Sequence, residues 1–250
     1  GRIQTITLAG LAPATRYFYR VVSRRIDKHE AYRVDYGPTI GCEVRSFTTF
    51  ATEPERVRFT VFNDIHNRTD LWRELNSRVA DFHPDFAVLN GDIMGHIDDE
   101  SALVRDILAP AGEIFRGSLP FFYVRGNHET RGAFARELIR YLKLPGDRYY
   151  FARSIGPVRL VVLDSGEDKE DSNPAYAGLA DFDRYRDIQQ AWLRQEIGSP
   201  EFRQATYRVV IHHMPPLPTP KWPGTHDCYE KWAPLYAEGG VDLYIGGHTH

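Results

Sequence analysis

Cysteine is almost absent, with only Cys42 and Cys228 in 250 residues. Two distant thiols build neither a disulfide framework nor a zinc knuckle, so they leave the redox compartment open. A basic excess is also missing. The formal net charge is -3, and nothing recruits polyanions such as nucleic acid or an anionic membrane surface. The arginines between positions 20 and 25 read as solvated strand and turn charges. No apolar run approaches the roughly 20 residues that cross a bilayer, and no signal peptide is read at the start. Repeats and low-complexity tracts are lacking too. What remains is the composition of an ordinary globular chain, 42% hydrophobic and 26% charged. Its length suits one large domain, or one domain with a smaller companion.

Residues 1–50 carry β character. Ile3, Thr5 and Thr7 alternate, Tyr17, Tyr19 and Val21 alternate again, and Ser46 to Phe50 forms a third run. The stretch Leu11-Ala12-Pro13-Ala14-Thr15-Arg16-Tyr17 is a turn entering an aromatic strand, and Gly1-Arg2-Ile3 reads as a strand entered part-way. Residues 51–56 are a polar, proline-containing linker. From 57 to 250 the pattern alternates. Strands are expected at 57–62, 86–89, 121–124, 207–211 and 241–245, with a hairpin from 149–152 to 158–163 through Gly156-Pro157. Helical spacing falls at 69–80, 101–115, 133–142 and 182–197, the last with Ile188, Trp192 and Leu193 inward. Such alternation predicts a layered α/β domain. Residues 166–180 and 215–229 read as long loops, a length that commonly lines a site. The second carries Trp222, His226, Asp227 and Tyr229, suited to substrate contact or to plain surface.

Polar residues follow five of these strands in register. Asn63-Asp64-Ile65-His66 follows the first and Asn90-Gly91-Asp92 the second; Gly126-Asn127-His128-Glu129 follows the third. His212-His213-Met214-Pro215 and Gly246-Gly247-His248-Thr249-His250 follow the last two. On an extended backbone His248 and His250 would project to one face. Each residue has a structural alternative, since Asp64 could cap a helix, Asp92 could hold a turn, and either histidine of the 212–213 pair could sit in the core. Taken together they fit the rule that ligands bind at the carboxyl ends of strands in α/β sheets. Carboxylate, imidazole and amide donors without thiolate favour Mn, Fe or Zn. The set overfills one tetrahedral ion and suits two divalent ions sharing a carboxylate. Two carboxylates leave two such ions net positive, ready for hydroxide and phosphate.

The ordered motifs resemble the calcineurin-like metallophosphoesterase family over residues 57–250. The amino-terminal Leu-x-Pro-x-Thr-x-Tyr run resembles the fibronectin type III-like domain that precedes the catalytic domain in purple-acid-phosphatase-like enzymes. The resemblance implies a four-layer α/β/β/α sandwich preceded by the carboxyl-terminal part of a fibronectin III-like sandwich at 1–50. A whole sandwich takes about 100 residues, so the chain is expected to be a piece of a longer protein, with strands missing at both ends. Carried over by motif, Asp64, His66 and His250 would bind one metal ion and Asp92 would bridge. Asn127, His248 and His213 would bind the other ion, with His212 as the alternative to His213. His128 would be catalytic without binding metal, stabilising the phosphoryl oxygens and protonating the leaving oxygen. The implied function is dinuclear-metal-dependent hydrolysis of small-molecule phosphate mono- or diesters by a hydroxide between the ions. The rival reading is an adhesion or carbohydrate-binding protein that keeps the fold as a scaffold. Two departures matter. Gly95 stands where purple acid phosphatases carry the tyrosine that binds ferric iron, so ferric chemistry is not expected. The segment Gly91-Asp92-Ile93-Met94-Gly95-His96 does not match the protein-phosphatase pattern, and His96 is expected to face the pocket without an assigned role. The accessory domain suggests a secreted or periplasmic setting.

Overall fold

A computed structural model describes residues 3–250. Arg16–Tyr19 (β1), Val22–Glu30 (β2), Arg33–Gly41 (β3) and Arg45–Thr48 (β4) make two antiparallel pairs, β1 with β4 and β2 with β3. The β2–β3 hairpin was not legible in the sequence, because β2 is exposed along its whole length and shows no apolar alternation. The expected run at Ile3–Thr7 forms no strand. Alternation makes a strand only where a neighbour accepts its backbone hydrogen bonds. This β-rich region meets the rest of the chain at Tyr19, whose hydroxyl donates to the Gly117 carbonyl. Arg45 Nη1 donates to the Arg116 carbonyl at 2.5 Å, and Phe50 packs edge-on to Phe86 at 6.3 Å.

Two further sheets follow. Phe59–Phe62 (β5), Phe86–Asn90 (β6) and Phe121–Val124 (β7) run parallel in that order. Helix α1 (Thr69–Arg78) links the first two strands. Helix α2 (Glu100–Leu103) passes through one π turn at Val104–Leu108 into α3 (Ala109–Ile114). The second sheet holds Phe151–Ile155 (β8), Val158–Val162 (β9), Tyr207–Ile211 (β10) and Leu243–Ile245 (β11), ordered β11-β10-β9-β8 with only β8 antiparallel. Helices α4 (Phe182–Ile197), α5 (Pro200–Gln204) and α6 (Pro223–Gly239) complete it.

Strand alternation decides the layering. Val158, Leu160 and Val162 of β9, with Val209 and Ile211 of β10, enter the core shared with β5 to β7 and α1 to α3. The residues between them, Val161 and Val210, enter a second core with Leu193 and Ile197 of α4 and Cys228, Trp232 and Leu235 of α6. Side chains one residue apart leave a strand on opposite faces, so one sheet serves two cores. Phe122 and Phe151 bridge the sheets at 5.8 Å, while Trp72 of α1 lies against Phe62 and Phe115 at 6.2 and 5.6 Å. The result is the expected helix–sheet–sheet–helix sandwich. Each fully buried Val, Leu or Phe stabilises it by roughly 1.5–3 kcal/mol.

Three more expectations need correction. Residues 133–142 form only a 3₁₀ segment, Ala135–Arg140. Its buried Ala135 and Leu138 are three apart, a spacing the 3₁₀ turn satisfies directly. The loop expected to run to Tyr229 ends earlier, because Pro223 starts α6 at its first turn, where a missing N–H costs nothing. Ile188 is 42% exposed. The inward stripe of α4 is instead Arg186, Gln189, Leu193, Glu196 and Ile197, and the polar members of that stripe hid the helix's true face.

Candidate metal centre

The segments after β5, β6, β7, β10 and β11 end on one side of the two sheets, and their polar side chains meet there. Asp92 Oδ2 is the hub. It lies 3.0 Å from His213 Nε2, 3.8 Å from His128 Nε2 and 4.0 Å from His66 Nε2. Asp64 Oδ1 lies 3.4 Å from His250 Nε2 and 3.9 Å from both His66 Nε2 and His213 Nε2. His248 Nδ1 is 3.1 Å from Asn127 Oδ1. Ligand-type atoms of Asp64, His66 and His250 fall within 4.8 Å of one another, and so do those of Asp92, His213 and His248. A third such group, His66, Asp92 and His128, overlaps both. The structure therefore brings together the seven expected metal ligands and His128.

The backbone is bent to achieve this. Asp64, His66, Asp92, His248 and His250 have φ of 55°, 49°, 52°, 72° and 52°. Left-handed conformations in non-glycine residues cost of order 1–3 kcal/mol each and persist where surroundings enforce them. Here the first two loops are stitched together, with Asp64 N donating to Gly91 O at 3.1 Å and His66 N to Asp92 O at 2.9 Å. The final histidines thus converge through left-handed turns, which corrects the expectation of an extended strand end. They also point into different groups, His250 towards Asp64 and His248 towards Asn127. Glycine is required where the loops touch: a Cβ on Gly91 (φ 78°) would stand 2.6 Å from His213 Nδ1, and one on Gly126 2.2 Å from Asp92 Oδ1.

Behind the cluster, Glu129 is fully buried. Its Oε1 accepts from Ile93 N at 2.7 Å and Met94 N at 3.2 Å, and its Oε2 from Asp92 N and Gly126 N at 2.9 Å each. Burial and the Asp92 charge push its pKa up, opposed by His213 and these N–H groups. With donors on every side, the carboxylate is the form the geometry holds. His213 Nδ1 contacts Asn90 O at 2.8 Å and His128 Nδ1 contacts Gly95 O at 2.9 Å. A carbonyl accepts only, so each Nδ1 carries the proton and each Nε2 is turned to the site. Burial tends to raise Asp92, yet the hydrogen bond and charge of His213 outweigh it and hold Asp92 low. Burial lowers His66 and His248, favouring the neutral imidazoles that bind metal.

His213, not His212, reaches the cluster. His212 Nε2 instead meets the Tyr236 hydroxyl at 2.8 Å, between the Trp232 and Tyr244 rings, and burial pushes its pKa down to about 3. His96 is exposed and pairs with Asp98 at 3.0 Å rather than facing the pocket. Of the 215–229 candidates only Trp222 touches the site, its ring 5.7 Å from His248. Asp227 pairs with the buried Arg186, and His226 with Glu230. Sequence reasoning missed Arg131 and Glu167. Arg131 Nε and Nη2 donate to the two Glu167 oxygens at 2.8 and 2.9 Å, and Nη1 stands 3.4 Å from His128 Nε2. Their only signal was position: Arg131 lies two residues after the Asn127-His128-Glu129 motif, and Glu167 is the second residue of the long 166–180 loop.

The donor set fits divalent cations. The Asn127 amide stands 3.3 and 3.1 Å from Asp92 Oδ2 and His248 Nδ1 and 2.9 Å from Arg131 Nη2 on its other side. Without an ion its nitrogen would donate to Asp92 and its oxygen accept from Arg131, whereas a cation shared by Asn127, Asp92 and His248 would draw the amide oxygen to that side.

The sequence matches the family described as calcineurin-like phosphoesterase over residues 57–250. No curated protein matches it. Among solved structures, a purple acid phosphatase from yellow lupin (Lupinus luteus) seeds superposes with a TM-score of 0.69 at 13% identity. That match covers 96% of this chain and 45% of the lupin protein, so this chain spans less than half its length. A dimetal phosphatase from Danio rerio gives a TM-score of 0.51 at 15% identity, covering 79% of this chain and 82% of the other.

Proposed function

This chain belongs to the calcineurin-like phosphoesterase family, and from that premise we propose that it hydrolyses small-molecule phosphate mono- or diesters with the help of two divalent ions. The observation that carries the reading is the hub at Asp92, one carboxylate oxygen with three imidazole Nε2 atoms within 4.0 Å. Asp64, His66 and His250 would hold one ion, and Asn127, His213 and His248 the other, with Asp92 between. Mn, Fe and Zn all suit these donors. Bound there, the ions supply positive charge for the phosphoryl oxygens and lower the pKa of water towards neutrality.

The chain's own residues do the rest. Glu129 fixes the Asp92 loop through four backbone N–H groups, so little reorganisation is needed when charge develops. Gly95 O accepts the His128 Nδ1–H and so turns Nε2 to the site, where the imidazolium form would pass its Nε2 proton to the leaving oxygen. The Asn90 carbonyl fixes the tautomer of His213, leaving Nε2 free as a ligand.

The test strips the purified protein with a chelator and reloads it with Mn, Fe or Zn. It then follows p-nitrophenol release from p-nitrophenyl phosphate and from bis(p-nitrophenyl) phosphate. Activity should vanish on stripping and return on reloading. Binding of all three metals with no release from either ester would overturn the proposal.

A further inference from the structure

Arg131 lies beside the centre in a geometry that an ion pair alone does not explain. Its guanidinium has five N–H donors, and Glu167 takes two of them through Nε and Nη2. Glu167 itself is buried and also accepts from the Thr130 hydroxyl at 2.8 Å and the Tyr176 hydroxyl at 3.2 Å. The pairing therefore aims the fork as well as neutralising it. The three remaining N–H bonds point away from Glu167. Nη1 reaches only His128 Nε2, at a long 3.4 Å. Nη2 lies 2.9 Å from the Asn127 amide, which can turn either its oxygen or its nitrogen that way, and 3.9 Å from Asp168 Oδ1. Among the described residues the second Nη1 hydrogen meets no acceptor, and a donor left open beside the centre calls for an anion. The Arg131 side chain is 36% exposed, open to one arriving from solvent.

We propose that Arg131 binds the third non-bridging phosphoryl oxygen of a phosphate monoester and so makes the site a monoesterase. The inference rests on the phosphoesterase reading above. A bound monoester presents three non-bridging oxygens and a diester only two. The ion pair would occupy two of them, and His128 faces the leaving oxygen. The remaining oxygen of a monoester is charged and suits a forked donor. In a diester that position is esterified, has no charge to offer, and brings a substituent against the guanidinium.

The experiment compares kcat/KM for p-nitrophenyl phosphate and bis(p-nitrophenyl) phosphate in metal-loaded wild type, Arg131→Gln, Arg131→Lys and the double variant Arg131→Gln/Glu167→Gln. The double variant leaves no buried carboxylate unpaired. Calorimetry with inorganic phosphate adds a readout independent of turnover. Loss of one aimed donor costs about 10²–10³-fold. The monoester-to-diester ratio should fall by at least roughly tenfold in both the Gln and the double variant. Phosphate affinity should fall in parallel at unchanged metal content. Lysine should recover little, because it keeps the charge without the fork. Wild type inactive on both esters would remove the parent reading. An active wild type whose ratio and phosphate affinity survive in the double variant would remove the role of Arg131 alone. So would a wild type that prefers the diester.

Discussion

Replacing Glu129 by glutamine tests whether the Asp92 loop is held by a buried carboxylate. The side chain keeps its size, but one oxygen becomes an amide NH₂. Each oxygen now accepts from two backbone N–H groups, at 2.7 and 3.2 Å on one and 2.9 Å twice on the other. Whichever way the new amide turns, one pair of donors faces a donor. Hydrogen bonds to a charged group are worth about 1.5–3 kcal/mol each, and two are lost. The expected destabilisation is therefore about 3–6 kcal/mol, a large part of a typical folding stability of about 5–15 kcal/mol. Urea denaturation should show a lower midpoint at unchanged slope. Amide exchange should accelerate at Asp92, Ile93 and Met94 before global unfolding, and metal content should drop because Asp92 is no longer aimed. A glutamine variant within about 1 kcal/mol of wild type, with unchanged exchange at those amides, would refute the reasoning. It would mean that Glu129 carries a proton in the native state, the direction in which its burial and Asp92 push it.

His128→Ala should lower turnover by about 10²–10⁴ while metal content stays whole; equal turnover takes His128 out of the mechanism. Gly126→Ala puts a Cβ 2.2 Å from Asp92 Oδ1 and 2.4 Å from Asp92 N. We expect at least about 1–3 kcal/mol of overpacking cost and a clear loss of bound metal, and normal metal content with normal melting would contradict that contact. Burial pushes the Cys228 thiol up to about 12 from its ordinary 9.0. The native chain then keeps this proton while the unfolded chain loses it above pH 9, so stability is lost as pH rises from about 9 towards 12, by up to roughly 4 kcal/mol. At pH 8 the native thiolate fraction is roughly 10⁻⁴. A thiol reagent should therefore label the half-buried Cys42 and spare Cys228, and equal labelling rates in folded protein would sink this assignment.

Much of the layered body was legible because its signals are local. Strands such as Phe121–Val124 and Tyr207–Ile211 and the helix Phe182–Ile197 begin and end where the sequence placed them, since runs of β-branched and aromatic residues bounded by turn formers declare themselves. The β2–β3 hairpin and α6 did not. One has no buried face, and the other carries Pro234 inside a helix that is kept by packing of Trp232 and Leu235 rather than by propensity.

The sequence by itself determined which donors follow each strand, and so the kind of ion they suit, because residue type and order are written in the chain. The motif resemblance already preferred His213 to His212 and parted His248 from His250, but the tertiary structure alone gave the means: a Tyr236 hydroxyl that holds His212 in the core and left-handed turns at both final histidines. It alone brought Arg131 and Glu167 together across an interval that no local pattern spans. Side-chain direction depends on which surface buries each neighbour, and that surface exists only once the two sheets have closed on each other.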